Sequence, residues 1–341
     1  MKPYDKVFIT NLPSFYKIKL YNKINEKQRV LAVFTDTGDP TRNGDFYKGD
    51  IRFDSVNLGG KNFFQEVFFL LKIIFFREYG TLVLGGWNSA LQWICAFASP
   101  RRKNALALES SIFESTVKGW RGFLKRIFLS RISKVFASGK MHKKLLDALE
   151  YRGEVAITKG VGIYNIVDTP PFAPKSEIRN FIYVGRFIPC KNLENLVEAF
   201  KKFPDCTLTM VGYGELEAKL RAAAPKNVKF VGAVENARLP DYYRQNDVFI
   251  LPSFSETWGV VVEEALNNGL PVIISENVGC NGEAVIDGDT GVVFPVSEPD
   301  GIVWAIERIR DLELYNRIAK NIRKIDFFGI CNSQVDCYIS R

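Results

Sequence analysis

Two glutamates eight residues apart are the side chains of this 341-residue chain whose type and spacing point most directly to chemistry. Glu256 lies in a predicted loop, and Glu264 lies on the predicted helix that follows it. A carboxylate accepts hydrogen bonds from two neighbouring hydroxyls at once, so two of them suit a sugar on one side of a phosphate site and a ribose on the other. Two solvated glutamates on a helix face would show the same spacing, and the pair alone leaves both interpretations open.

A buried strand followed by a short helix is the local structure that must position these glutamates. Residues 248–251 form an apolar run with the β-branched content of a buried strand. The helix is predicted to begin near Trp258 and to end at Asn268, because Gly269 suits the left-handed position that follows a helix. The first glutamate then precedes the helix, and the second lies on it.

The start of this helix is suited to an anion. The N–H groups of a first turn have no partner within the helix, and the helix dipole is positive there. Gly259 has no side chain, so a phosphate can come close to the backbone. The sequence therefore predicts a phosphate site at Trp258, Gly259 and Val260, between the two glutamates.

A glycine and two basic residues follow another predicted strand. Gly185 and Arg186 come directly after the strand predicted over 180–184, and Lys191 lies five residues beyond Arg186, at the head of a predicted helix. A guanidinium pairs bidentately with phosphate, and an ammonium acts as a point charge. Lysine at a helix start opposes the dipole, so an anionic partner explains these residues better than a solvated helix end does.

These patterns resemble the motifs of family 4 of the retaining glycosyltransferases. The Gly-Arg-x4-Lys and Glu-x7-Glu patterns occur in the family's order, and the resemblance extends over roughly residues 178–310. It is weaker over residues 1–170. The fold that it implies is GT-B, an α/β fold of two Rossmann-like domains that face each other across a cleft.

The resemblance assigns roles to the residues that carry it. It implies that Glu256 lies by the donor sugar and that Glu264 binds the ribose. It also implies that Arg186 and Lys191 neutralise the diphosphate of the donor.

Two further stretches complete the predicted donor site. Gly212 and Gly214 form a tight turn after a predicted strand, and Val231 lies in the strand 228–232, where the family holds the base through main-chain contacts. The predicted donor-binding residues are Gly185, Arg186, Lys191, Gly212, Gly214, Val231, Trp258, Gly259, Val260 and Glu264. The predicted catalytic residues are Glu109, Glu256, Arg186 and Lys191.

The resemblance implies neither a cofactor nor a metal, and a UDP-sugar is favoured over a GDP-sugar as the donor. Asp287 and Asp289 form an Asp-x-Asp pattern, which binds a divalent ion in GT-A glycosyltransferases. Gly288 and Gly291 indicate instead a turn between short strands, so no metal site is predicted here.

Glu109 directly follows the strand predicted over 105–108. Side chains just past the carboxyl ends of parallel strands line the crevice of an open α/β sheet. A carboxylate there can orient or deprotonate the acceptor hydroxyl, and an ion pair with Lys118 or Arg121 is the alternative. The only histidine, His142, is predicted to be a surface residue rather than a base.

Length and composition indicate a globular protein with two domains. A chain of 341 residues with 47% hydrophobic and 25% charged residues is ordinary for a globular protein and long enough for two cores. The proline-rich stretch 169–174 is predicted to be the linker. The expected organisation is an acceptor-binding domain over 1–170, a nucleotide-sugar-binding domain over 171–313, and C-terminal helices over 314–341 that cross back to the first domain.

The cellular setting predicted from the sequence is the cytoplasm. Six cysteines without a Cys-x-x-Cys pair indicate reducing conditions, and no secretory signal is expected at the start of the chain. The most apolar stretch, 63–76, is too short to cross a bilayer and contains Glu66 and Lys72, so it is predicted to be a core helix.

Residues 117–134 combine six basic residues with aromatic ones. At helical spacing, this combination fits a helix lying on an anionic membrane surface. A helix with a core-facing side and a solvated basic side fits equally well, so both interpretations stay open. A nucleic-acid partner is not predicted, because no RNA-binding or DNA-binding motif accompanies the basic residues.

The function predicted from these observations is the transfer of a hexose or hexosamine, with retention of configuration, from a nucleotide-diphosphate sugar to an acceptor hydroxyl. The expected acceptor is a saccharide, in particular a lipid-linked one used for surface polysaccharide or lipopolysaccharide at the inner face of the cytoplasmic membrane. A nucleotide-sugar epimerase and a non-catalytic nucleotide-sugar-binding protein are the alternatives.

Overall fold

The structure is a computed structural model that describes residues 2–36, 38 and 44–340. The chain forms two compact units, each with its own internal packing. Unit 1 contains Met1–Ile163 and Gly329–Arg341, and unit 2 contains Tyr164–Phe328. Both units are α/β, and each is built around one sheet of parallel strands.

Unit 1 contains a seven-stranded sheet in the order β3-β2-β1-β4-β5-β6-β7. Its strands are β1 (Tyr4–Thr10), β2 (Val30–Phe34), β3 (Asp54–Asn57), β4 (Tyr79–Leu84), β5 (Asn104–Leu108), β6 (Lys134–Ala137) and β7 (Glu154–Ile157). Its helices are α1 (Phe15–Asn25), α2 (Phe63–Phe76), α3 (Ala90–Ala98), α4 (Gly119–Leu129), α5 (Lys140–Ala148) and, at the end of the chain, α12 (Phe327–Ile339). The strand order reverses between β1 and β4, which pair directly.

Helices cover both faces of this sheet, so its central strands are apolar on both sides. On one face, α2, α3 and α4 place Leu70, Leu91 and Phe128 in a common core, which α5 extends. On the other face, α1 packs beside α12, where the Tyr338 ring stacks on Phe136 with a centroid distance of 4.2 Å. The C-terminal helix is therefore part of the core of unit 1.

Unit 2 contains a six-stranded sheet in the order β10-β9-β8-β11-β12-β13. Its strands are β8 (Asn180–Val184), β9 (Thr207–Val211), β10 (Val228–Gly232), β11 (Val248–Leu251), β12 (Val272–Ser275) and β13 (Gly291–Phe294). Its helices are α6 (Leu193–Ala199), α7 (Glu217–Ala223), α8 (Leu239–Arg244), α9 (Val260–Asn267), α10 (Gly301–Ile309) and α11 (Leu312–Ile322). The order reverses between β8 and β11, and open α/β sheets bind ligands beyond the carboxyl ends of strands at such a point.

The boundaries of the units differ from the sequence expectation of 1–170, 171–313 and 314–341. Unit 2 begins earlier because Asn267 of α9 accepts a hydrogen bond from the Val167 amide at 2.8 Å. It also ends later, because α11 packs within it and the Tyr315 hydroxyl donates to the Asp247 carbonyl at 3.0 Å. Of the expected C-terminal helices, only α12 belongs to unit 1, from Gly329 onward.

The expectation of a core helix over 63–76 holds for one face of α2 and is wrong for the other. Leu70, Ile73 and Ile74 are buried in the core of unit 1. Most of the phenylalanines of the same helix are exposed. Within the described ranges, no helix is long and apolar enough to cross a membrane.

Candidate functional site

The loops that follow β8 and β11 bring Lys191 and Glu256 together at the reversal point of the unit 2 sheet. The Lys191 ammonium forms an ion pair with Oε2 of Glu256, and the two side chains are 13% and 17% exposed. A mostly buried charge requires a counter-charge, and each residue supplies that of the other. The two residues predicted to hold the donor diphosphate and the donor sugar are thus direct neighbours.

Hydrogen bonds fix the backbone around this pair. The Tyr183 hydroxyl donates to the Arg186 carbonyl at 2.9 Å. Burial raises the pKa of Tyr183 well above its usual value, with a further contribution from the Glu256 charge, so the hydroxyl remains a donor. Asn192 adopts the left-handed conformation with φ of 59°, and its side-chain amide donates to the Pro252 carbonyl at 3.1 Å. This bond ties the loop after β8 to the loop after β11.

Gly212 and Gly214 are required by close backbone packing. A Cβ on Gly212 would lie 1.9 Å from the Gly185 carbonyl oxygen, and one on Gly214 would lie 2.5 Å from the Phe187 carbonyl oxygen. Both glycines also have positive φ, which disfavours any larger residue. These contacts hold the loop after β9 against the loop after β8, and a part in nucleotide binding stays a prediction.

The helix α9 begins at Val260, two residues after the predicted start near Trp258. Gly259 precedes it with φ of 97°, a conformation that favours glycine. The Trp258 side chain is buried, and its indole N–H donates to Oε2 of Glu263 at 2.8 Å. The buried indole therefore stabilises the first turn of α9 through this hydrogen bond. Glu263, which accepts it, was not identified by the sequence analysis.

Glu263 is an unusual carboxyl because it lies fully inside unit 2. Burial raises its pKa from the usual 4.5 to about 8, the hydrogen bond from Trp258 opposes this shift, and the charge of Glu264 adds to it. The protonated, neutral form is therefore favoured at neutral pH.

Glu264 lies on α9 and contacts α8. Its Oε2 accepts a hydrogen bond from the Tyr243 hydroxyl at 3.3 Å, and both side chains are buried. Tyr243 was not found by sequence analysis, since nothing in a single sequence links residues on two different helices. Val231, the residue before the last one of β10, is exposed, and its part in base binding stays a prediction.

Glu109 belongs to unit 1, whereas the other predicted site residues belong to unit 2. Its Oε1 lies 2.9 Å from the Lys17 ammonium, and the side chains of Lys17 and Glu109 are 8% and 30% exposed. Lys17 also donates to the Thr10 hydroxyl at 3.2 Å. The sequence had suggested Lys118 or Arg121 as the basic partner, but the structure supplies Lys17 from α1.

The prediction that His142 is a surface residue is wrong. Its side chain is fully buried, and Nε2 lies 3.0 Å from the Glu109 carbonyl oxygen. On α5, His142 shares the inward face with Leu145 and Leu146, at the i, i+3 and i+4 spacing of a buried helix side. The imidazole therefore helps to fix the backbone that carries the Glu109 carboxylate.

The Asp-x-Asp pattern is engaged in protein contacts. Asp287 accepts a hydrogen bond from the Arg308 guanidinium at 2.6 Å, and Asp289 accepts one from the Asn321 side-chain amide at 2.8 Å. In the ranges described above, no three or more His, Cys, Asp or Glu side chains are grouped so as to hold a metal ion.

Comparison with known proteins relates part of this chain to a family. Residues 170–325 match the family of glycosyl transferases group 1. An uncharacterized glycosyltransferase of Methanocaldococcus jannaschii is 27% identical over 218 residues, which cover 62% of this chain and 59% of that protein. A phosphatidyl-myo-inositol mannosyltransferase of Mycolicibacterium smegmatis is 28% identical over 201 residues, which cover 56% of this chain and 51% of that protein. The chain thus spans only about half the length of these relatives.

A solved structure shares the fold of this chain. The Anabaena protein HepE, in complex with UDP and glucose, superimposes with a TM-score of 0.72 at 18% identity, covering 99% of this chain and all of that one. This likeness and the two parallel sheets confirm the predicted GT-B fold. The match to the group 1 glycosyl transferases covers residues 170–325, which all lie in unit 2.

Proposed function

We propose that this chain is a retaining glycosyltransferase that moves a hexose or hexosamine from a nucleotide-diphosphate sugar to an acceptor hydroxyl. The observation that carries the proposal is the Lys191–Glu256 pair at the strand-order reversal of unit 2. The pair lies inside the matched family segment 170–325, which also contains Arg186 and the start of α9. A nucleotide sugar needs cationic groups and a helix N-terminus for its diphosphate, and a carboxylate that can accept hydrogen bonds from its sugar hydroxyls.

In the proposed reaction, the positive groups act on the leaving diphosphate. Negative charge develops there as the bond to the sugar breaks, and prearranged donors stabilise it without further reorganisation. Arg186, Lys191 and the amides near Gly259 and Val260 take this role, and no metal is needed. Glu256 holds the donor sugar, and Glu264 binds the ribose.

A UDP-sugar is the proposed donor. The support is the Anabaena neighbour, which holds UDP and glucose on the same fold. A GDP-sugar is the alternative, because main-chain contacts near Val231 read a base less strictly than side chains do.

The acceptor hydroxyl is assigned to unit 1. Glu109 orients or deprotonates it, and the Lys17 ammonium, 2.9 Å from Oε1 of Glu109, holds the carboxylate in position. A lipid-linked saccharide at the inner face of the cytoplasmic membrane is the proposed acceptor. The support is one relative whose name gives phosphatidyl-myo-inositol as its substrate and the exposed aromatic residues of α4.

The test is sugar transfer from radiolabelled UDP-glucose, UDP-galactose, UDP-N-acetylglucosamine and GDP-mannose into a bacterial lipid extract. We expect label in the lipid fraction with one donor and a product with the anomeric configuration of that donor. Conversion of the donor to its epimer without any acceptor would show that the protein is an epimerase instead. Donor binding with neither product would show a non-catalytic binding protein.

A further inference from the structure

The outer face of α2 carries a stripe of exposed phenylalanines. Phe64, Phe68, Phe75 and Phe76 are 83%, 72%, 64% and 81% exposed. Their spacing places them on one side of the helix, opposite the buried Leu70. From Phe64 to Phe76 the stripe is about 18 Å long at the rise of an α-helix. We call these four residues the phenylalanine stripe.

Two neighbouring helices extend this apolar surface. α2, α3 and α4 cover the same face of the sheet and share one core, in which the Trp93 and Phe128 rings of α3 and α4 lie 5.2 Å apart. Phe97 on α3 and Trp120 and Phe123 on α4 are exposed on the outer side of this layer. Single exposed apolar residues are ordinary, but a row of this size on adjacent helices marks an interaction surface.

The charges around the surface are mainly positive. Lys72 lies within the stripe and is exposed. The segment 117–134 contains six basic residues and no acidic one. Of these, the Arg121 guanidinium lies 5.5 Å from the centroid of the exposed Trp120 ring. Glu66 and Glu78 are the acidic residues of the α2 region, 61–78.

We propose that α2 lies in the headgroup region of an anionic bilayer, with the phenylalanine stripe inserted and α4 beside it. An amphipathic helix with aromatic residues on one side and basic residues nearby is the arrangement that binds such an interface. The long side chain of Lys72 reaches from within the stripe to the lipid phosphates. A second copy of the chain is a poorer occupant, because facing surfaces would bring like charges together.

This inference specifies how the proposed lipid-linked acceptor is reached, and in that respect it rests on the proposed function. Membrane binding itself needs no donor, acceptor or turnover. A failure to bind vesicles and a failure to transfer sugar are therefore separate results.

The experiment is co-sedimentation of the full chain with vesicles of phosphatidylcholine alone or mixed with phosphatidylglycerol in equal amounts. We expect binding to the mixed vesicles that weakens as salt rises. The double variant Phe64→Ser, Phe68→Ser should lower the partition constant by about tenfold or more. Lys72→Glu should also lower it. The double variant Phe172→Ser, Phe328→Ser removes two exposed rings outside the surface and should bind as the wild type does.

Circular dichroism and gel filtration of each variant separate loss of binding from misfolding and self-association. If the variant Phe64→Ser, Phe68→Ser is unfolded, the comparison with wild type uses Lys72→Glu, which alters only an exposed side chain. Binding of wild type to neither vesicle, or equal binding of wild type and both stripe variants, would overturn the proposal. A wild-type dimer that Phe64→Ser, Phe68→Ser converts to a monomer would also overturn it.

Discussion

The ammonium of Lys191 and the carboxylate of Glu256, 65 positions apart in the chain, form an ion pair at the strand-order reversal of unit 2. A donor diphosphate that binds Lys191 must share this cation with Glu256. Under the proposed function, this carboxylate holds the sugar that is attached to the diphosphate. The ion pair thus brings the residue predicted to bind the diphosphate into contact with the residue predicted to bind the sugar.

Replacing Lys191 by alanine should lower kcat/KM for the nucleotide sugar by about 100-fold or more, since it removes a positive group from the developing diphosphate and leaves Glu256 without its counter-charge. Release of nucleoside diphosphate measures this loss. Lys201→Ala is the matched control, because Lys201 forms only an exposed ion pair with Glu198. Equal activity of the two variants would exclude Lys191 from the site.

Replacing Glu109 by glutamine should reduce sugar transfer by about 100-fold or more and leave UDP affinity unchanged. The residue belongs to unit 1, where it pairs with Lys17, whereas the donor residues belong to unit 2. Transfer assays and calorimetric titration with UDP measure the two properties separately. A parallel fall in UDP affinity would show that Glu109 acts on the donor or on folding instead.

The variant Gly212→Ala should destabilise the protein by about 3 kcal/mol or more, because the added Cβ would meet the Gly185 carbonyl. Gly232→Ala is the matched control. Gly232 also has positive φ, but a Cβ there meets nothing within 4 Å, so the expected cost is only about 1 kcal/mol. Urea unfolding gives both values. Similar losses in the free energy of unfolding for the two variants would mean that the close approach of Gly212 to the Gly185 carbonyl does not limit stability.

Glu263 should make stability depend on pH. Its pKa is about 8 in the folded protein and about 4.5 in an unfolded chain, so the folded state retains a proton that the unfolded state loses. The contribution of this group is complete below about pH 4.5 and is lost as pH rises to about 8. Glu263→Gln keeps an oxygen for the Trp258 indole and cannot ionise.

Urea unfolding of wild type and Glu263→Gln at pH 5, 6.5 and 8 measures this effect. The wild type should lose stability relative to the variant as pH rises, by a few kcal/mol in total. Glu264 and Cys280 interact electrostatically with Glu263 and are present in both proteins, so the difference reports Glu263 together with its effect on these two neighbours. A constant difference across this range would contradict the raised pKa.

The sequence predicted best those elements of unit 2 whose signals come from residues that are adjacent in the chain. Gly185-Arg186 follows β8, and Gly259 precedes α9, because strand ends, helix starts and special backbone conformations leave local signals. The parallel sheets were predictable for the same reason, since buried strands alternate with amphipathic helices along both halves.

Contacts between distant residues were not predictable. Glu109 meets Lys17 and Glu264 meets Tyr243 only after the elements pack, and no local pattern records the pairing. The α2 helix illustrates another limit. An apolar run shows that burial is favourable but not which side the protein covers, so the exposure of Phe64 and Phe76 appeared only in the structure.

The predicted donor site is tested by a thermal-shift screen of UDP-sugars and GDP-sugars, with and without a chelator, on wild type and Glu264→Ala. We expect that one nucleotide sugar stabilises the wild type, that the chelator does not change this, and that the variant loses most of the shift. Stabilisation by none of them, or only in the presence of a divalent ion, would contradict a metal-free donor site in unit 2.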